Sequence, residues 1–287
     1  MGGMKFLLVS MLLISSVALA QTPATQPATP EKLDGAEPYV YRAGEPQPMR
    51  LHVFKPVDWK NSDRRPALIH FFGGGWVRGT PDKAAYWART AAKWGMVGVA
   101  PDYRTQERFG TTPMDAVADA RAAVRWVQDH ADELGIDPAR VVVSGNSAGG
   151  HLALWTGIEH APFGSSADES PTCKPTALIL FSAVSDCTQG IGAKRCGEHA
   201  KEISPVYQLD AHMPPIIMFH GDADKTVPHD QAVALDAALK QSGNSCEFVT
   251  VPGGGHNFGG DLPEWKDRSR EMVRAFLVNQ KLLDAGK

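Results

Sequence analysis

Val141-Val142-Val143-Ser144-Gly145-Asn146-Ser147-Ala148-Gly149-Gly150 decides the fold of this chain. An apolar, β-branched run stops at Gly-x-Ser-x-Gly, and a helix-forming stretch follows. This is the layout of a strand that turns sharply into a helix with a serine at the turn. Such a turn strains the serine backbone and pushes the hydroxyl into the open. Gly145, Ala148 and Gly149 flank Ser147 because larger side chains collide across so tight a bend. The helix starting at Ala148 would aim free N–H groups and its positive dipole end at a developing oxyanion. A glycine-rich strand-to-helix turn without chemistry is the bland alternative, and the motif alone does not separate the two. Its position between strand and helix favours a nucleophile.

A serine hydroxyl is a poor nucleophile at neutral pH, so it needs a histidine base and a carboxylate to orient that base. After an elbow of this kind the acid comes next in the chain, then the histidine. Ile216-Ile-Met-Phe-His220-Gly221-Asp222-Ala-Asp224 reads as a buried strand breaking into an acidic loop. Carboxylates at the carboxyl end of a strand face an active-site crevice. Asp224 is preferred over Asp222, which follows Gly221 directly and suits a role in turning the chain. A helix cap is the structural alternative for Asp224, but Asp230 lies nearer the next helix. The base is His256, in Val249-Thr-Val-Pro-Gly253-Gly-Gly-His256, where a strand ends in a glycine run. His229 falls at a helix start, and His151 sits behind the nucleophile where it packs or caps.

A second set of oxyanion donors is expected after an early strand. Ala67-Leu-Ile-His-Phe-Phe72-Gly73-Gly74-Gly75-Trp76 supplies it. The donors assigned are the backbone N–H groups of Gly74, Gly75 and Ala148.

Together these segments resemble the α/β-hydrolase superfamily. Within it they are similar to the hormone-sensitive-lipase-like esterases and to bacterial acetyl xylan and feruloyl esterases. Asp102-Tyr103-Arg104, Asp119-Ala-Arg-Ala-Ala-Val-Arg-Trp126, Leu134-Gly-Ile-Asp-Pro138-Ala-Arg140, Ile203-Ser-Pro-Val and Met213-Pro-Pro-Ile carry the same likeness, over roughly residues 48 to 280. The resemblance implies an ester hydrolase with Ser147, Asp224 and His256 as its triad. Two departures stand out. The usual His-Gly-Gly-Gly begins here with Phe72, and His70, two residues earlier on the same strand face, is a partial substitute. The Tyr-Arg-Leu-Ala-Pro-Glu run of relatives is replaced by Tyr103-Arg-Thr-Gln-Glu-Arg-Phe-Gly110, which bears on substrate preference.

The first 20 residues read as a secretory leader: Lys5, an apolar run from Phe6 to Leu19, and an A-x-A-type site at Val17-Ala-Leu-Ala20. Export to the periplasm or the extracellular space is therefore expected. No cysteine precedes Cys173, so no lipid-bearing cysteine adjoins the cleavage site. Residues 21–47 read as a Pro/Thr/Ala-rich flexible linker and extension, and 48–287 as one α/β domain. A net charge of −3 without a basic cluster argues against nucleic acid.

Strands are predicted near 48–56, 67–72, 96–100, 141–144, 177–182, 215–220 and 246–251. Helices are predicted near 82–94, 113–134, 148–159, 229–241 and 264–280. Alternating elements with continuously apolar strands predict a doubly wound, mostly parallel sheet with helices on both faces. Of the four cysteines, Cys187 and Cys196 bracket a short loop and are expected to form a disulfide, with Cys173 and Cys246 free. Their spacing matches no zinc site, and no metal or cofactor is expected.

The reaction expected is hydrolysis of a small or polysaccharide-linked carboxylic ester. A serine peptidase or amidase of the same fold is one alternative. A non-catalytic binding protein on a hydrolase scaffold is another, less economical because all three triad candidates are present. No long insertion precedes the first predicted strand, so an open site is expected, with 185–213 as a small lid.

Overall fold

The computed structural model describes residues 29–44, 46–160 and 174–285. Eight strands form one sheet: β1 (Glu37–Arg42), β2 (Met49–Phe54), β3 (Arg65–Phe71), β4 (Val97–Pro101), β5 (Ile136–Asn146), β6 (Ala177–Phe181), β7 (Ile216–Gly221) and β8 (Cys246–Val251). Their order across the sheet is β1-β2-β4-β3-β5-β6-β7-β8. The β1–β2 and β2–β4 pairs are antiparallel and every other pair is parallel.

The parallel strands are apolar throughout because helices cover both faces. β4, β6 and β7 are buried at every position. Successive residues point to opposite faces. Leu68, Val142, Ile179 and Ile217 pack with Val273, Phe276 and Leu277 of the C-terminal helix Pro263–Asn279. Their neighbours Ile69, Val143, Leu178 and Met218 pack on the other side with Val117 and Val124 of helix Pro113–Asp129 and Leu152 of helix Ala148–Gly157. All ten residues of that last helix are buried, so it lacks a polar stripe.

The structure departs from the sequence expectations at two places. The segment expected as linker and extension over 21–47 contains β1, an edge strand paired along Met49–Val53. Leu33 and Ala36 before it are buried. Only Tyr39 and Tyr41 of this edge strand pack inward, with Val40 exposed between them, too short an alternation to stand out in a polar, proline-rich segment. The leader expected over 1–20 and the linker up to residue 28 lie outside the described residues. The helix expected over 113–134 stops at Asp129, and a separate turn spans Ala131–Leu134. At the break the His130 ring stacks on Trp126 at 3.9 Å and its Nδ1 lies 2.8 Å from the Trp126 carbonyl. The start of the helix is as the sequence indicates, with the Asp115 carboxylate accepting from the Thr112 N–H and hydroxyl.

The chain winds outward from the centre in both directions, with β4 on one side of β3 and β5 on the other. A crevice opens at such a switch point, outside the carboxyl ends of the strands. The loops after β3, β5, β7 and β8 all leave from that edge. Among the described residues no helix is long and apolar enough to cross a membrane.

Candidate active site

Ser147 follows β5 directly and takes φ 56°, ψ −122°, a conformation that L-residues rarely adopt. It persists because its own backbone is held from three sides. The Ser147 N–H donates to Phe181 O at 2.9 Å, and its carbonyl accepts from the His151 and Val184 N–H groups at 3.1 and 3.2 Å. The small flanking residues are required by contact: a β-carbon on Gly149 would lie 2.2 Å from the Phe71 carbonyl oxygen. Ser147 is 9% exposed, at the floor of the crevice.

His256 stands in the loop after β8, with its Nδ1 2.7 Å from Asp224 Oδ2. The Asp224 side chain is buried and the histidine ring about a quarter exposed. Asp224 Oδ1 accepts from the Thr226 and Val227 N–H groups at 2.8 and 3.0 Å. Burial pushes this carboxyl up. Hydrogen bonds from His220, His256 and the Val227 N–H more than offset that and hold it well below the usual carboxylate range. Asp222 instead accepts the Gly253 N–H at 2.7 Å, closing the loop that carries His256.

His220 is a residue that the sequence reading overlooked. Its Nε2 lies 3.3 Å from Asp224 Oδ2 and 2.9 Å from the Val227 carbonyl. The signal available was its place on the strand, four residues before the acid. Among the described residues no hydrogen bond joins the Ser147 hydroxyl to His256 in the free protein. Such contacts commonly close only around substrate.

The glycine loop after β3 faces the elbow. The Gly73 N–H is taken by Asn146 Oδ1 at 3.1 Å. No acceptor among the described residues takes the N–H groups of Gly74, Gly75 or Ala148. These are donors free to meet an oxyanion. Gly74 adopts φ 140°, and a β-carbon there would lie 1.9 Å from the Arg78 carbonyl oxygen. Phe72 is fully buried, stacked on Tyr103 at 4.1 Å, and the Tyr103 hydroxyl donates to the Phe72 carbonyl at 2.9 Å. His70, beneath the loop, places its Nδ1 2.9 Å from Ser144 Oγ on β5. Burial lowers its pKa to about 3, against a smaller opposing pull from the Asn146 side chain.

The replaced loop after Tyr103 is anchored by Arg108, whose guanidinium clasps Asp102 with 2.7 and 2.6 Å bonds. The expected lid, 185–213, carries a short helix, Gly190–Cys196. Ile191 lies over Gly75, and Arg195 donates to Gln106 Oε1 at 2.7 Å, tying this segment to the loop after β4. The expected Cys187–Cys196 disulfide is absent: both are thiols, buried and in contact. The Cys187 S–H is aimed at the Ile203 carbonyl, 4.0 Å away. Cys246 is also a thiol, and Cys173 lies outside the described residues.

The BD-FAE family profile matches residues 51–239. Esterase 2 of the planctomycete Thermogutta terrifontis, a thermophilic esterase, is 38% identical. The match covers 88% of this chain and 95% of that one, with a TM-score of 0.80. An ethyl acetate hydrolase of Pseudomonas putida is 28% identical over 81% of this chain and 78% of its own length. Esterase LipQ of Mycobacterium tuberculosis is 26% identical over 72% of this chain. The chain spans about half the length of LipQ and of the carboxylic ester hydrolase LipM. With the sheet order, the serine elbow and a family profile covering most of the domain, the chain belongs to the BD-FAE family of α/β-hydrolase-fold esterases.

Proposed function

We propose that this protein hydrolyses short-chain carboxylic esters through an acyl-enzyme on Ser147. Ser147 Oγ attacks the ester carbonyl as His256 Nε2 takes its proton. The tetrahedral oxyanion is met by the N–H groups of Ala148, Gly74 and Gly75, donors of a kind typically worth several kcal/mol of barrier. His256 returns the proton to the leaving alcohol oxygen, and the acyl group stays on Ser147. Water, deprotonated by His256, then releases the acid and restores the serine. Asp224 holds the imidazole with Nδ1 protonated and Nε2 free for this exchange.

The observation that carries this reading is the 2.7 Å Asp224–His256 bond at the crevice that holds the strained Ser147. The Thermogutta esterase supports the acyl size and the chemistry, having been solved with butyrate bound and phosphorylated by paraoxon. We further place the protein outside the cytoplasm, on the leader pattern of residues 1–20, acting on acyl groups carried by a ring alcohol such as a sugar.

Treatment with paraoxon tests the mechanism. Mass spectrometry of the intact protein and of its peptides should show one phosphoryl adduct, on the peptide containing Ser147, with loss of 4-nitrophenyl acetate hydrolysis. Ser147→Ala should take no adduct and keep only residual turnover. Near-native turnover by that variant would overturn the mechanism, and an unlabelled wild-type protein would favour a binding role.

A further inference from the structure

A cleft of about 310 Å³ opens beside the elbow, between Asn146 and the loop that runs from His256 to Gly260. The side of the site is set by chemistry. His256 must deliver a proton to the leaving oxygen, so the leaving alcohol lies against the histidine loop. The glycines of the oxyanion loop are not part of this cleft. It is therefore the leaving-group side.

Its walls are aromatic. Phe181 is nearly buried, stacked on Trp87 at 4.9 Å and on Phe219 at 5.4 Å, so it backs the wall, and Trp87 and the exposed Tyr86 carry the open aromatic surface with Phe258 beside them. Flat walls of this kind accept the face of a ring. The charge at the same cleft is one-sided. Lys83, from the turn Pro81–Ala84, and Lys266, from the C-terminal helix, both line it, and no carboxylate does. Neither ammonium is paired with a carboxylate among the described residues. Lys266 Nζ stands 5.0 Å from the Tyr86 ring. His70 at the base is kept uncharged by burial and adds nothing to the field. Low-dielectric walls with charge of one sign at the mouth concentrate the opposite sign.

We propose that this cleft selects esters whose leaving alcohol is a ring bearing a carboxylate, with Lys83 and Lys266 receiving the carboxylate and Trp87 and Tyr86 facing the ring. This deepens, and rests on, the ester-hydrolase reading above. An aryl carboxylate and an acidic sugar share the required chemistry.

The test compares kcat/KM for 4-acetoxybenzoate against 4-acetoxybenzamide, and for acetylated galacturonic acid against its amide. Each pair is measured in the wild type, in the Lys83→Gln/Lys266→Gln double variant and in Lys93→Gln, which removes a charge elsewhere on the surface. For at least one pair, the acid-to-amide ratio should fall about tenfold in the double variant and stay unchanged in Lys93→Gln. It should also shrink in the wild type as salt rises toward 1 M. Which pair responds identifies the kind of ring. Ratios equal in all three proteins for both pairs would overturn the proposal. So would a lysine-dependent preference that appears only when the carboxylate is on the acyl part, as in monomethyl terephthalate. If the wild type cleaves none of these esters and takes no paraoxon adduct, the ester-hydrolase reading itself has failed and this inference falls with it.

Discussion

Asn146 Oδ1 accepts the Gly73 N–H at 3.1 Å, tying the residue before Ser147, the proposed nucleophile, to the glycine loop proposed to supply oxyanion donors. Asn146 ends β5 and Gly73 follows β3, so the bond carries the pairing of these adjacent strands beyond Phe71 and Gly145 into the glycine loop. Asn146→Ala removes it. The donors themselves remain, so the effect is on their placement: kcat on 4-nitrophenyl acetate should fall roughly tenfold, about 1.4 kcal/mol of barrier, with KM changed less. A KM effect with kcat intact would show that Asn146 serves binding instead.

Asp224 and Asp222 are two residues apart and have different partners. Asp224→Asn should lower kcat at least about a hundredfold, because the amide no longer favours the productive tautomer of His256. Asp222→Asn loosens the Gly253 turn and should cost less than about tenfold, since the charge-assisted bond it weakens lies one step from the chemistry. Steady-state kinetics on one ester decides the order, and the reverse ranking would mean that the wrong carboxylate carries the histidine.

Phe72 sits where relatives have a histidine, and its ring is stacked against Tyr103. Phe72→His should therefore act on stability more than on rate. A buried imidazole without a partner costs about 1–3 kcal/mol, lowering the urea midpoint, while kcat/KM stays within about tenfold. Gly74→Ala should do the opposite, because its β-carbon meets the Arg78 carbonyl and displaces the donors. If Phe72→His proves as damaging to turnover as Gly74→Ala, the ring shapes the site directly.

His70 and His151 are buried and held neutral, with burial lowering their pKa values to about 3 and about 4. An unfolded chain protonates its histidines near pH 6.5. Below that pH the unfolded state binds protons that the folded state refuses. Stability is thus fully present above about pH 6.5 and is lost as pH falls through the window toward 4, by up to about 1.4 kcal/mol per pH unit for each histidine. Urea midpoints at pH 7, 6 and 5 should fall steadily. Equal midpoints at pH 7 and 5 would contradict it. The Asp224 carboxylate, whose pKa is depressed, adds stability that is fully present above its usual 3.8 and is lost only as the pH falls below that value, outside this window.

What sequence by itself determined is what chain neighbours decide. The turn at 141–150 combines a β-branched strand, small residues around Ser147 and a helix start within ten positions, so its geometry is local. The parallel strands were legible for the same reason: burial on both faces leaves an unbroken apolar run. Relations across the sheet were not legible. Gly73 and Asn146 are 73 residues apart, and no spacing rule couples them. Asp222 and Asp224 share a loop and a chemistry, and only the way β7 and β8 pair puts one on His256 and the other on Gly253. β1 is only half-buried, with Tyr39 and Tyr41 against the core and Val40 exposed between them, and so short a segment becomes a strand only when β2 offers an edge. The pair of lysines at the aromatic cleft belongs to the same class. Lys83 and Lys266 are ordinary surface lysines in sequence, and they share one mouth because the C-terminal helix packs back beside the turn Pro81–Ala84.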